Sequence, residues 1–267
     1  PWVAEAIEGA RPFVSLAAVQ EAIAANLAKA APVRRLSVIK AHPDLAGKAA
    51  RAGTLTHDST AEQASAGLDR LSEEEFARFN RLNAAYRAKF DIPFIICVRR
   101  HTKDSILHQF ERRLENDQAT ETAAALSEVL RIVALRLDQR IEGPDRLKVH
   151  GRLSTHVLDT HSGRPAAGVP VELVELAEAG EGRLIEQATT NTDGRTDRPL
   201  IEGRPVPIGR YELRFGAAKY FRERRIPLAE PAFLDVVPVR FAVAEAEGHY
   251  HVPLLVSPWS YTTYRGS

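Results

Sequence analysis

Hydrophobic positions in the first half of the chain recur at intervals of three and four. In "SEEEFARFNRLNAAYRAKF" they are Phe76, Phe79, Leu82, Tyr86 and Phe90. In "TETAAALSEVLRIVALRLDQRI" they are Leu126, Val129, Leu130, Val133 and Leu137. That spacing places apolar side chains on one face of a helix. "LAAVQEAIAANLAKAA" and "HTKDSILHQFERRLEN" read the same way. Ser72 with the acidic residues after it supplies an N-cap and a first turn suited to the positive end of a helix dipole.

Past "EGPDR" the period changes. "RLSTHVLDT", "GVPVELVEL", "GRYELRFG", "LDVVPVRFAVAE" and "HYHVPLLVS" are short runs rich in β-branched and aromatic residues, separated by Gly, Pro, Asp and Asn. Such runs predict strands, and their repetition predicts a β-sandwich. "KYFRERR", residues 219–225, predicts one short helix. The chain therefore reads as multidomain, α then β. An all-α helical bundle domain spans 1–141, a linker 142–148 and a β-sandwich 149–267.

Composition narrows the function classes. Lys and Arg number 36 against 35 Asp and Glu, so no global field favours nucleic acid. No apolar run approaches the ~20 residues of a membrane span. The one cysteine, Cys97, lies in the apolar "PFIICVRR", the setting of an inert core thiol. One cysteine and no signal-peptide pattern lead to an expected cytoplasmic location, or a peroxisomal one in a eukaryote. No methionine occurs, so the chain is read as trimmed, processed or engineered.

Three polar residues of the β half are not explained by packing: His156, Arg195 after an Asp-Gly turn, and His251. In a strand His249 and His251 share a face, with Tyr250 and Val252 on the other. Each histidine alone is most simply a structural residue. Together with an arginine they suit proton transfer, because a neutral imidazole takes a proton and an imidazolium gives one. A nearby guanidinium disfavours the imidazolium. No spacing of further ligands supports a metal site. In the helical half, His42 before Pro43 is at a helix break, where a surface or capping role is the simple reading. Ser59 with Glu62 three residues on reads as a capping box, and Arg136 as a solvated helix charge.

Longer motifs change these readings. "LSTHVLDTHSGRPAAGVPVEL", "TTNTDGR" and the terminal "HYHVPLLVSPWSYTTYRGS" closely resemble the transthyretin-like 5-hydroxyisourate hydrolases over about residues 148–267. The resemblance implies a transthyretin-like (prealbumin-like) sandwich, a homotetramer and sites in a channel between subunits. It implies His156, Arg195 and His251 as catalytic residues and Tyr264 as part of the substrate pocket.

"HPDLAGK", "STAEQASAGLD", "FNRLNAAYRAKFDIPFIICV" and "LRIVALRL" resemble the 2-oxo-4-hydroxy-4-carboxy-5-ureidoimidazoline (OHCU) decarboxylases over about residues 1–141. This resemblance implies His42 as catalytic acid, held by Glu62. It also implies substrate contacts from Pro43, Ser59, Gln63, Arg136 and the segment Phe94, Ile95, Ile96, Cys97 and Val98. The family uses no cofactor, and its helical domains make dimer contacts. Its usual beginning lies about one helix upstream of Trp2, so incomplete N-terminal packing is expected. The product of the first family's reaction is the substrate of the second. The expectation is a bifunctional urate-degrading enzyme making (S)-allantoin from small-molecule substrates, with no nucleic acid or membrane partner. The residues leave two rivals open: a small-ligand binder of transthyretin type, and a fusion with one active domain and one scaffold.

Overall fold

The computed structural model describes residues 2–47, 56–143, 145–178 and 182–266; Lys48, Pro144 and Ser267 of the quoted motifs lie outside them. The chain divides into two compact units, Pro1–Val149 and His150–Ser267.

The first unit is helical. Its described helices are α1 (Trp2–Glu8), α2 (Leu16–Lys29), α3 (Pro32–Lys40), α4 (His57–Ser65), α5 (Glu73–Phe90), α6 (Lys103–Leu114) and α7 (Gln118–Arg140). Side-chain oxygens cap most of them. Ser15, Thr56, Ser72, Thr102 and Asp117 each accept a backbone N–H of the first turn. Ser72 forms a full capping box with Glu75. Phe79, Tyr86 and Phe90 of the α5 stripe are buried, packing with Phe94, Ile106 and Phe110. No described helix is long and apolar enough to cross a membrane.

α7 buries three carboxylates that its apolar stripe did not announce: Glu121, Glu128 and Asp138. Each is paired with an arginine, respectively Arg113, Arg131 and Arg146. Asp138 also accepts the Leu147 N–H at 2.9 Å, and Asp145 accepts the Leu16 N–H at 2.6 Å. The segment expected as a linker over 142–148 is thus tied to the helical unit at Asp145, Arg146 and Leu147, and the described division falls after Val149.

The second unit contains β1 (Gly151–Asp159), β2 (Arg164–Pro165), β3 (Pro170–Leu176), β4 (Gly182–Thr189), β5 (Ile201–Arg204), β6 (Gly209–Gly216), α8 (Ala217–Glu223), β7 (Val236–Val243), β8 (His249–Val256) and β9 (Tyr261–Thr263). One sheet runs β2-β1-β8-β9, with β5 also on β1; the other runs β4-β3-β6-β7. Leu153, Val157, Tyr250 and Leu254 of the first sheet and Leu173, Leu213, Phe215 and Val237 of the second share one apolar core. That is a β-sandwich. β1 and β8 are parallel, with Ser154 opposite His251. The helix expected over 219–225 begins two residues earlier, at Ala217.

Candidate active sites

In the helical unit, His42 follows the last turn of α3. Its Nδ1 donates to the Val38 carbonyl at 2.9 Å, so Nδ1 carries a hydrogen and Nε2 is the nitrogen left for chemistry. The loop after it is held from several sides. Asn83 Nδ2 donates to the Leu45 carbonyl at 2.9 Å, the Ala46 N–H donates to Gln63 Oε1 at 3.1 Å, and Asp44 pairs with Arg87 at 2.8 Å. Every helical-domain candidate except Cys97 lines one cleft, joined by Leu45 and Ile132.

Several expectations about this cleft are corrected. α4 begins at His57 with Thr56 as its N-cap, so Ser59 is inside the first turn and accepts from the Thr56 hydroxyl at 2.9 Å. Glu62 is then too far along the helix to close a capping box. Nor does it hold His42. Both its oxygens accept from Arg136, Oε1 from Nε at 2.8 Å and Oε2 from Nη2 at 2.9 Å. This fork-to-fork pair fixes the guanidinium plane and leaves the Arg136 Nη1 donors for a ligand. The pairing also raises the Arg136 pKa, so the group stays charged. Arg136 is therefore not a solvated helix charge. Cys97 is 1% exposed and does not line the cleft. Burial, reinforced by Glu128, pushes its thiol up to about 12, so it is no thiolate nucleophile.

In the β unit, β1 and β8 carry the two histidines. His251 lies opposite Ser154 in the parallel ladder, and its Nδ1 is hydrogen-bonded to Ser154 Oγ at 3.0 Å. His156, two residues further along β1, shares the Ser154 face. His156 Nε2 is buried and unpartnered, while the ring makes a hydrogen bond with the Asp193 backbone. By elimination that bond uses Nδ1 as donor to the Asp193 carbonyl. The Nε2 lone pair is thus free to accept a proton.

Arg195 is stitched to β1 by its turn. Asn191 accepts the Gly194 N–H, Val157 N–H donates to the Gly194 carbonyl at 2.8 Å, and Arg195 forms a bridge with His156. Gly194 adopts φ +72, and a Cβ there would sit 2.3 Å from the Val157 carbonyl oxygen. Only glycine lets the turn come this close. Burial, then the Arg195 charge, hold the His156 pKa below its ordinary value. The same two causes, followed by His156, lower that of His251. Both are neutral imidazoles at neutral pH. His249 is exposed on the same strand face.

The terminal tail runs back along β8. Thr263 pairs with Leu254, and the Gly266 N–H donates to the His251 carbonyl at 2.9 Å. A Cβ on Gly266 would be 2.5 Å from His251 Cδ2, so the tail rests directly on the imidazole. Tyr264 is 58% exposed in the single chain. Among the described residues, no group of three or more His, Cys, Asp or Glu side chains is placed to hold a metal ion. Ser154, Asp193 and Gly266 were not singled out from the sequence. Strand phase alone could have offered Ser154, which sits two residues before His156.

Residues 1–138 match the OHCU decarboxylase family profile and residues 153–266 the HIUase/transthyretin family profile. The chain belongs to both families, one through each unit. It is 55% identical over 117 residues to 5-hydroxyisourate hydrolase 2 of Rhizobium meliloti (strain 1021), covering 44% of this chain and 97% of the relative. It is 39% identical over 140 residues to 2-oxo-4-hydroxy-4-carboxy-5-ureidoimidazoline decarboxylase of Haloferax volcanii, covering 52% of this chain and 81% of the relative. A crystal structure described as (S)-allantoin synthase matches along the whole length: 33% identity, 100% of this chain and 90% of the other, TM-score 0.50.

Proposed function

We propose that this chain is a bifunctional enzyme of urate catabolism. Its β unit hydrolyses 5-hydroxyisourate to OHCU, and its helical unit decarboxylates OHCU to (S)-allantoin. The observation that carries the reading is the presence of both residue sets in one chain: a cleft holding His42 and the Glu62–Arg136 pair, and a second site with His156, Arg195 and His251.

In hydrolysis, water adds to a ring carbonyl and a ring nitrogen leaves. His156 Nε2 takes the water proton, since its lone pair is unoccupied and its charged form is disfavoured. The imidazolium formed at His156 returns that proton to the leaving nitrogen, and neutral His251, bonded to Ser154, faces the substrate beside it. Arg195 orients the substrate and keeps the resting imidazoles neutral.

In decarboxylation, the bond to the carboxyl carbon breaks and carbon dioxide leaves. The electron pair is held as an enolate on the adjacent ring carbonyl. A proton is then returned to carbon on one face. Arg136, set by Glu62, binds the anionic group, and His42 Nε2, once it has taken up a proton from solvent, delivers it to carbon, since Nδ1 is committed to the Val38 carbonyl. Joining the steps in one chain fixes their stoichiometry and raises the local concentration of the intermediate.

The same reading includes a homotetramer assembled through the β units, with dimer contacts between helical units. Arg195 and Tyr264, exposed in the single chain, would then face a neighbouring subunit. Light scattering on active protein tests the assembly. The activity test supplies freshly generated 5-hydroxyisourate and follows ultraviolet absorbance and circular dichroism together. Rapid loss of the first absorbance with growth of a single-handed product is expected. Hydrolysis that yields only unhanded allantoin would remove the decarboxylase half of the proposal.

A further inference from the structure

The segment Phe94–Cys97 belongs to no helix or strand, so its backbone groups must find partners elsewhere. Two of them are held by buried charges. Arg113 Nη1 donates to the Ile95 carbonyl at 2.7 Å, and the Cys97 N–H donates to Glu128 Oε2 at 2.8 Å. These two bonds bracket Ile96. Its own N–H and C=O have no hydrogen-bond partner among the described residues, although the residue is only 4% exposed and lines the cleft. A buried unpaired peptide group is rare and costly unless a ligand or water completes it.

The clamps are built at some cost. The Arg113 and Glu121 side chains are 3% and 0% exposed, and they pair with each other. Glu121 also accepts from the Tyr86 hydroxyl and from Asn116 Nδ2. The Arg113 guanidinium lies over the Phe94 ring, 4.6 Å from its centroid. Glu128 is shared between the Cys97 N–H and Arg131. Apolar residues of similar volume often replace a buried ion pair without loss of stability, so core stability does not account for these charges. What they hold does.

We infer that Arg113 and Glu128 are positioning residues for the decarboxylase cleft: they pin the peptide groups on either side of Ile96 and present its unpaired amide to the substrate. Neither touches the reacting atoms. A peptide N–H and C=O side by side match a ligand edge that carries one acceptor and one donor, as a cyclic amide or ureido group does. The inference rests on the decarboxylase reading.

The test compares Glu128→Leu with Glu128→Gln in the full chain, using the hydrolytic step of the same chain as the control for concentration and integrity. Glu128→Leu removes the acceptor, and the KM of decarboxylation is expected to rise about tenfold or more, with hydrolysis unchanged. Glu128→Gln keeps an acceptor oxygen and is expected to stay within about threefold of the parent. A parent KM in Glu128→Leu overturns the inference, as does equal impairment in Glu128→Gln. If Glu128→Leu does not fold, Arg113→Lys decides: it keeps a charge beside Glu121 but loses the planar fork. A raised KM then supports the role and a parent KM overturns it. A parent chain that fails to decarboxylate at all refutes the functional reading itself, before any variant is compared.

Discussion

Replacing Glu62 by glutamine exchanges one oxygen for an amide nitrogen and removes one charge. In the parent both carboxylate oxygens accept from Arg136, at 2.8 and 2.9 Å, and the Glu62 side chain is 18% exposed. Glutamine can accept only one of these bonds, and its amide would face an N–H of the guanidinium. A hydrogen bond between charged groups is worth about 1.5–3 kcal/mol. If that energy holds Arg136 in its working position, kcat/KM for decarboxylation falls by about tenfold to 150-fold. Stability falls less, because Arg136 is partly solvated: about 1 kcal/mol, or roughly 2–4 °C for a unit of this size. The assay pairs thermal unfolding with the rate of appearance of single-handed allantoin from enzymatically generated OHCU. A parent rate and a parent handedness, together with a lowered Tm, would refute the reasoning and confine the pair to holding α4 on α7.

Four further outcomes are expected. His42→Ala stops enzymatic decarboxylation while hydrolysis continues, so allantoin forms slowly and without handedness; a single enantiomer at the parent rate would exclude His42. His156→Ala or His251→Ala abolishes hydrolysis and leaves decarboxylation of supplied OHCU intact, as kinetics on each intermediate would show. The hydrolytic rate falls with an apparent midpoint below the ordinary histidine value of 6.5, because both imidazoles must be neutral and both pKa values are lowered. The linked stability has the same sign: between the lowered and the ordinary value the unfolded chain binds more protons, so stability is lost as pH falls through that window, which a Tm series across acid pH would record.

Long periodic segments were the most legible part of the fold. α5 and α7 follow from stripes of Phe, Leu and Val, and β1, β6 and β8 from alternation against Gly and Asp turns. The strands not read from the pattern are β2, β4, β5 and β9. Three are four residues or shorter, and β4 is exposed along most of its length, so it shows no apolar alternation. The start of α4 was misplaced because Thr56 and Ser59 are chemically equal caps; only the observed bonds choose Thr56. That shift reassigns Glu62 from a cap to the partner of Arg136, 74 positions away in sequence. Distant pairing of this kind leaves no mark in a periodic pattern. Arg113 and Glu128 were invisible for a related reason: charges on amphipathic helices read as a solvated face.

The buried carboxylates of α7 set a trap for anyone wishing to make this protein more robust. A stability-guided redesign would turn first to Glu121 and Glu128, and would replace them and Arg113 with hydrocarbon. Such exchanges often leave a core equally or more stable. Here they would also release the peptide groups on either side of Ile96. Gains in heat resistance selected on α7 would thus tend to trade against substrate binding, in the usual conflict between stability and activity. Selection for heat resistance alone would remove these acids, and selection for activity at low substrate concentration would restore them.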